Sequence, residues 1–273
     1  MGRVTVRRKT VRLNEGRRSD RVDTLVVEEP LELRVGGESL QITMRTPGDD
    51  FELAAGFLLS EGVISKPDDL VSMRYCAGAD QYGEQTYNLL DLALAPGVEP
   101  PAKAAKRNFT VSSSCGMCGK DSLDDVRTKA AWDLTEDSTT VDAELLADLP
   151  ERLRRTQKIF DRTGGLHAAG LFTADGELLA SKEDIGRHNA VDKVIGWALQ
   201  SGLVPLRGTV LAVSGRASFE LVQKAVMAGI PVLAAVSAPS SLAADLADES
   251  GLTLAGFLRG ATMNLYTHPG RII

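Results

Sequence analysis

The chain has 273 residues, 43% of them apolar and 25% charged, with a net charge of −6. That composition supports one large domain or two smaller ones and excludes wholesale disorder. No apolar run approaches the roughly 18 residues of a bilayer-spanning helix, and the acidic balance argues against general DNA binding.

Residues 1–21 hold eight arginines and lysines and two acids, a local +6 that leaves −12 on the rest. They read as a flexible, solvated arm, or as a steering patch for an anionic ligand or an acidic partner. The Arg7-Arg8 and Arg17-Arg18 pairs lack the apolar stretch of an export signal. Residues 24–46 alternate apolar and polar side chains at period two. Leu25, Val27, Leu31, Leu33 and Val35 lead to a Gly36-Gly37 hairpin, then Leu40, Ile42 and Met44. Thr46-Pro47-Gly48-Asp49-Asp50 starts a helix over about 51–60, with Phe51, Ala54, Ala55 and Leu58 on one face and Gly62 closing it. Residues 65–108 mix short strands with Pro96, Pro100 and Pro101, a linker or long loop.

From about residue 109 the texture changes. A helical stretch over 141–160 is expected to break at Pro150. Thr163-Gly164-Gly165-Leu166-His167 opens a hairpin with strands over 168–173 and 177–180, turning at Asp175-Gly176. A helix then opens at Glu183-Asp184-Ile185-Gly186-Arg187-His188-Asn189, with Ala190, Val191, Val194, Ile195 and Ala198 as its apolar stripe. Strand, helix, strand, helix, strand follow over 209–213, 219–228, 232–236, 242–247 and 252–257. That alternation implies right-handed crossovers and a largely parallel sheet with covered faces.

Ligands of such sheets bind outside the carboxyl ends of the strands. Three loops leave those ends: Ser214–Ser218, Ser237–Ser241 and Arg259–Thr262. Their hydroxyls, free N–H groups and two arginines, Arg216 and Arg259, suit a phosphate-bearing ligand. Ser218 and Ser240 would equally serve as plain helix caps. His167 and His188 read either as satisfied turn and helix-start residues or as functional ones. Gly186–Asn189 with Asp192 and Lys193 packs enough polar groups into one turn to suggest ligand or dimer contacts.

Three cysteines without a secretion signal point to a reducing cytoplasm rather than a disulfide framework. Cys76 reads as a small buried apolar residue. Cys115-Gly116-Met117-Cys118-Gly119 instead presents two thiols on a glycine-rich loop. Zinc would need two further ligands, and the three histidines fit no finger spacing. No histidine precedes Cys115, which contradicts a zinc deaminase. Thiol redox and sulfur carriage both remain open, with Lys120 placed to lower a thiol pKa.

Ser113-Ser114-Cys115-Gly116-Met117-Cys118-Gly119 resembles the signature loop of the formate dehydrogenase accessory sulfurtransferases, the sulfur carrier family also written FdhD. Thr46–Asp50 with Glu61-Gly62, Thr163–His167 and Glu183–Lys193 resemble further blocks of that family. So do Ser214-Gly215-Arg216, Ser237–Ser240 and Gly256–Gly260, all in family order. The resemblance implies a cytoplasmic homodimer, working with neither membrane nor nucleic acid. It would take persulfide sulfur from a cysteine desulfurase and pass it to the bis-guanine-dinucleotide molybdenum cofactor of formate dehydrogenase. Cys115 and Cys118 fall on the family's catalytic pair, the first as persulfide carrier. Cofactor binding falls on Phe257, Leu258, Arg259, Gly260, Ala261 and Thr262, to which the loop reading adds Ser214, Arg216 and Ser218. The implied fold is α/β: a cytidine-deaminase-like three-layer domain over 106–273 beside a smaller α+β domain over 22–105. A cofactor chaperone that never touches sulfur and a thiol–disulfide oxidoreductase are the competing readings.

Overall fold

In the computed structural model the described residues are 3–76, 87–100 and 130–273. They form a mixed α/β protein with three sheets. The basic segment expected as a flexible arm is largely strand. Thr5–Asn14 (β1) and Arg17–Val26 (β2) pair in an antiparallel ribbon turning at Glu15-Gly16. Gly16 has φ +79, a conformation open to glycine without steric cost.

The second sheet has four strands: Glu29–Val35 (β3), Glu38–Arg45 (β4), Leu70–Tyr75 (β5) and Leu89–Leu94 (β6), in the order β4-β3-β6-β5. The Gly36-Gly37 hairpin forms as the alternation predicts. Leu31, Leu33, Leu40, Leu90 and Leu92 face the helix Asp50–Ser60 (α1). That helix is buried nearly all round, from Leu53 to Ser60. It lies between the sheet and the helix Arg187–Gln200 (α4). Two glycines allow the close approach. A Cβ on Gly56 would sit 1.9 Å from the Asp192 carbonyl oxygen, and one on Gly196 would sit 1.8 Å from that of Glu52.

The third sheet has six strands in the order β12-β11-β10-β9-β7-β8. They are His167–Thr173 (β7), Leu178–Asp184 (β8), Thr209–Val213 (β9), Val232–Ala235 (β10), Thr253–Arg259 (β11) and Thr262–Thr267 (β12). Only β9, β10 and β11 run parallel to one another. β7, β8 and β12 are antiparallel to their neighbours, so the sheet is mixed rather than largely parallel. The parallel core comes from two crossover helices, Phe219–Met227 (α5) and Ser241–Glu249 (α6). β7–β8 and β11–β12 are hairpins and so pair antiparallel, and β7 meets β9 antiparallel because α4 links β8, on the far side of β7, to β9.

The two sheet faces bury different residues. Leu171, Leu211, Val213, Leu233 and Leu254 join α4, α5, α6 and α1 in the larger core. Phe172, Val210, Ala212, Val232 and Ala255 pack on the other face under the helix Ala143–Thr156 (α2), through Leu146, Leu149 and Leu153. Pro150 sits inside α2 without ending it, contrary to the expected break. Buried leucines on both sides of the proline hold the helix to the sheet. The break comes at Gln157 (φ −79, ψ 68), before the short helix Lys158–Thr163 (α3). No helix among the described residues is long and apolar enough to cross a membrane.

Candidate functional site

Where β9, β10 and β11 end, their loops are fastened together. Ala217 and Pro239 form an isolated parallel bridge, and the N–H groups of Ser237 and Ser240 donate to the carbonyls of Gly215 and Ala217. Ser214 is held to β7: its Oγ accepts from Ala168 N–H at 2.9 Å. The two helix-start serines behave differently. Ser240 caps α6 by accepting from Ala243 N–H at 3.2 Å. Ser218 makes no side-chain cap on α5, and its Oγ lies 3.2 Å from His188 Nε2.

The third loop does not lead to a helix. Gly260 (φ +56) turns β11 tightly into β12, and Thr262 Oγ1 donates to the Arg259 carbonyl at 3.0 Å. A bulge interrupts the ladder between Gly256 and Arg259. Within it Phe257 takes φ +54, a left-handed conformation costly for a bulky residue, and its side chain is 38% exposed. Strain of this kind persists only where the surroundings impose it, and it collects at binding sites.

Between this hairpin and α2 lies a groove of about 1230 Å³. Its floor is apolar, with Leu153, Leu166, Leu258 and Met263. Ser214 and Leu258–Ala261 line it, so five of the nine expected cofactor contacts reach one cavity. Phe257, Thr262, Arg216 and Ser218 are not among its lining residues. The walls differ in charge. α2 presents Glu144, Asp148 and Glu151, and the facing hairpin presents Arg259. Arg154 also lines the groove, but it pairs with Asp161 at 2.6 Å and stacks over Phe160 at 4.7 Å. Arg259 faces the groove with no ion pair among the described residues, and is the cation best placed for a phosphate.

His167, at the start of β7, also lines the groove. Burial, followed by the charge of Arg187, pulls its pKa below the ordinary histidine value, and Asp184 partly offsets this. Behind it, burial, then Lys224 and Arg187, bring His188 down to about 4. His188 is therefore neutral at pH 7 and meets Ser218 as a hydrogen-bonding partner, not as a cation.

The Gly186–Lys193 cluster divides by function. Asn189, Asp192 and Lys193 are buried and bind inward. Lys193 Nζ pairs with Asp184 at 2.7 Å and donates to the Thr46 carbonyl at 3.0 Å. Asn189 Nδ2 donates to the Met44 carbonyl and to Asp184 Oδ1. Asp192 accepts from Lys224 Nζ at 2.8 Å and from Ser60 Oγ at 3.0 Å. These residues stitch the four-stranded sheet and α1 to α4, while His188 turns toward the strand-end loops. Sequence reasoning missed this junction, including Thr46, Asp184 and Lys224. The available signal was the run of charged residues inside an otherwise apolar helix, which only an internal partner makes tolerable. Cys115, Cys118 and Lys120 lie outside the described residues. Cys76 is a free thiol of intermediate exposure at the end of β5, less buried than expected.

The model described as the FdhD/NarQ family matches residues 26–273. The chain is 64% identical over 273 residues to the sulfur carrier protein FdhD of Streptomyces avermitilis, covering 100% of this chain and 97% of the relative. It is 63% identical to that of Streptomyces coelicolor over the same shares, and 56% identical to that of Mycobacterium tuberculosis over the whole of both chains. A crystal structure designated a formate dehydrogenase accessory protein, from Desulfotalea psychrophila, superposes with a TM-score of 0.75. It covers 99% of this chain and 100% of its own at 23% identity, and so speaks for the fold.

Proposed function

The chain belongs to the FdhD/NarQ family, and from that premise we propose that it carries sulfur from a cysteine desulfurase to the bis-guanine-dinucleotide molybdenum cofactor of formate dehydrogenase. The observation that carries the cofactor half is the groove at the strand ends, with Ser214 and Leu258–Ala261 on its wall. An apolar floor beside Arg259, which has no ion pair among the described residues, suits a large ligand with a few charged groups. In this reading Phe257, Thr262, Arg216 and Ser218 act from the loops around the groove rather than from its wall. The protein works in the cytoplasm as a homodimer.

The sulfur half rests on Cys115 and Cys118. The Cys115 thiolate attacks the outer sulfur of the donor's persulfide. The donor's S–S bond breaks, its thiolate leaves, and an S–S bond to Cys115 forms. Attack by the Cys118 thiolate on Cys115 Sγ then releases the outer sulfur as hydrosulfide, the form a molybdenum centre accepts as a sulfido ligand. A Cys115–Cys118 disulfide remains, and cellular thiols reduce it. Neutral His167 at the groove wall is placed to accept or return a proton as the ligand binds.

The test is intact mass spectrometry after incubation with a cysteine desulfurase and L-cysteine. We expect a gain of about 32 Da that reductant reverses, absent in Cys115→Ala and present in Cys118→Ala. No gain in any variant would overturn the sulfur step and leave a cofactor chaperone. A reversible internal disulfide with reductase activity and no persulfide would instead make the protein a thiol–disulfide oxidoreductase.

A further inference from the structure

Buried polar side chains are almost always hydrogen-bonded. Among the described residues every buried polar or charged side chain from Arg45 to Thr267 has a hydrogen bond or ion pair, save that of Gln157. Gln157 is 4% exposed, sits at the break between α2 and α3, and lines the groove. Its backbone is fully used. Its N–H donates to the Arg154 carbonyl at 3.2 Å, and its carbonyl accepts from Asp161 N–H at 3.0 Å. Its side-chain amide has no hydrogen bond among the described residues, and neither amide atom is sealed off from open space as the unpartnered Gln41 Oε1 is. The open space that Gln157 borders is the groove. An amide stripped of most of its water is costly unless something supplies its partners.

The chain holds this corner in place. The Glu183 carboxylate accepts from Ile159 N–H at 3.0 Å and Phe160 N–H at 2.8 Å, which fixes the first turn of α3. Leu153 and Phe160, one turn before and one turn after Gln157 in the chain, also line the groove. A primary amide among apolar side chains offers an acceptor and a donor side by side and no charge. That suits a flat ring with apolar faces and a paired donor and acceptor on one edge. It does not suit a phosphate, which Arg259 serves.

We propose that the Gln157 amide binds the lactam edge of a ring in the ligand, Oε1 accepting from the ring N–H and Nε2 donating to the adjacent carbonyl oxygen. Guanine and pterin share this edge, and the guanine-dinucleotide form of the molybdenum cofactor carries both. The inference rests on the groove as the site of that ligand and adds the residue that recognises its ring. It does not depend on the sulfur step.

The test is calorimetry of the full chain with two pairs of probes: GDP against N1-methyl-GDP, and pterin against N3-methylpterin. Each methyl blocks the ring N–H. We expect the methyl to weaken binding about tenfold in one pair, which identifies the ring. That gap should close in Gln157→Leu, where the amide is gone. Gln157→Leu should melt at the wild-type temperature or above it, because an apolar side chain replaces an unpartnered amide. A methyl that costs nothing in either pair, a gap that persists in Gln157→Leu, or a Tm lowered by several degrees would each overturn the proposal. GDP binding that weakens in Arg259→Ala but ignores Gln157→Leu would keep the groove as the cofactor site and sink only the role of Gln157. Wild type that binds neither GDP nor pterin would sink both.

Discussion

Asp184→Ala tests the junction between the two sheets most directly. The Asp184 carboxylate is fully buried and accepts from Thr46 N–H at 3.1 Å, Gly186 N–H at 2.8 Å and Asn189 Nδ2 at 3.0 Å. It also pairs with Lys193 Nζ at 2.7 Å. Truncation leaves an ammonium that is 1% exposed with one carbonyl for company. Stranding one partner of a buried pair costs about 3–5 kcal/mol, and the three orphaned N–H donors add to that unless water enters. We expect a loss of about 4 kcal/mol, which at roughly 2–4 °C per kcal/mol lowers Tm by roughly 10 °C. Lys193→Met should cost less, since the carboxylate keeps three N–H donors. Asp184→Leu/Lys193→Met should recover part of the loss, because an apolar pair leaves no charge unpaired. Thermal and urea unfolding at pH 7 measure all three variants. The reasoning is refuted if Asp184→Ala loses less than about 1 kcal/mol, or if Lys193→Met is the more damaging change.

Gly56→Ala and Gly196→Ala should each destabilise by about 1–3 kcal/mol or more, since the new methyl meets backbone rather than a movable side chain; urea midpoints check this. His188 supplies a pH dependence. Its folded pKa of about 4 lies below the ordinary 6.5, so the unfolded state binds the extra proton, and stability falls as pH drops from about 6.5 toward 4. His188→Gln should flatten the plot of Tm against pH in that window. Phe257→Gly should leave Tm unchanged or raised, because glycine takes φ +54 without cost, while weakening guanine-nucleotide binding. Arg259→Ala should weaken GDP binding roughly tenfold without lowering Tm, as read by calorimetry.

Local pattern was enough for much of the fold. The alternation at 31–35, the Gly36-Gly37 turn, α1 and the β9-to-β11 series all follow from periods of two and 3.6 with their caps and turns. Contacts between distant segments were not legible. Pro150 reads as a break because a proline removes a helical hydrogen bond, yet Leu146, Leu149 and Leu153 keep α2 continuous against the sheet. The charge of residues 1–21 reads as a solvated arm because charge hides the pairing that makes it a ribbon. The strand-end loops could be located from sequence, and Ser214 with Leu258–Ala261 do share a cavity. That α2 forms the opposite wall was out of reach, since nothing local relates residue 148 to residue 259.

By itself, then, the sequence determined the strands and helices over 31–60 and 167–257, the thiol pair and the positions of the phosphate-suited loops, because each is set by neighbouring residues. Only the tertiary structure decided which polar residues hold the protein together and which face a ligand. His188 and Asn189 are adjacent in the chain, yet one meets Ser218 at the strand-end loops and the other is spent on Asp184 and Met44. Burial separates them, and burial depends on segments more than a hundred residues away.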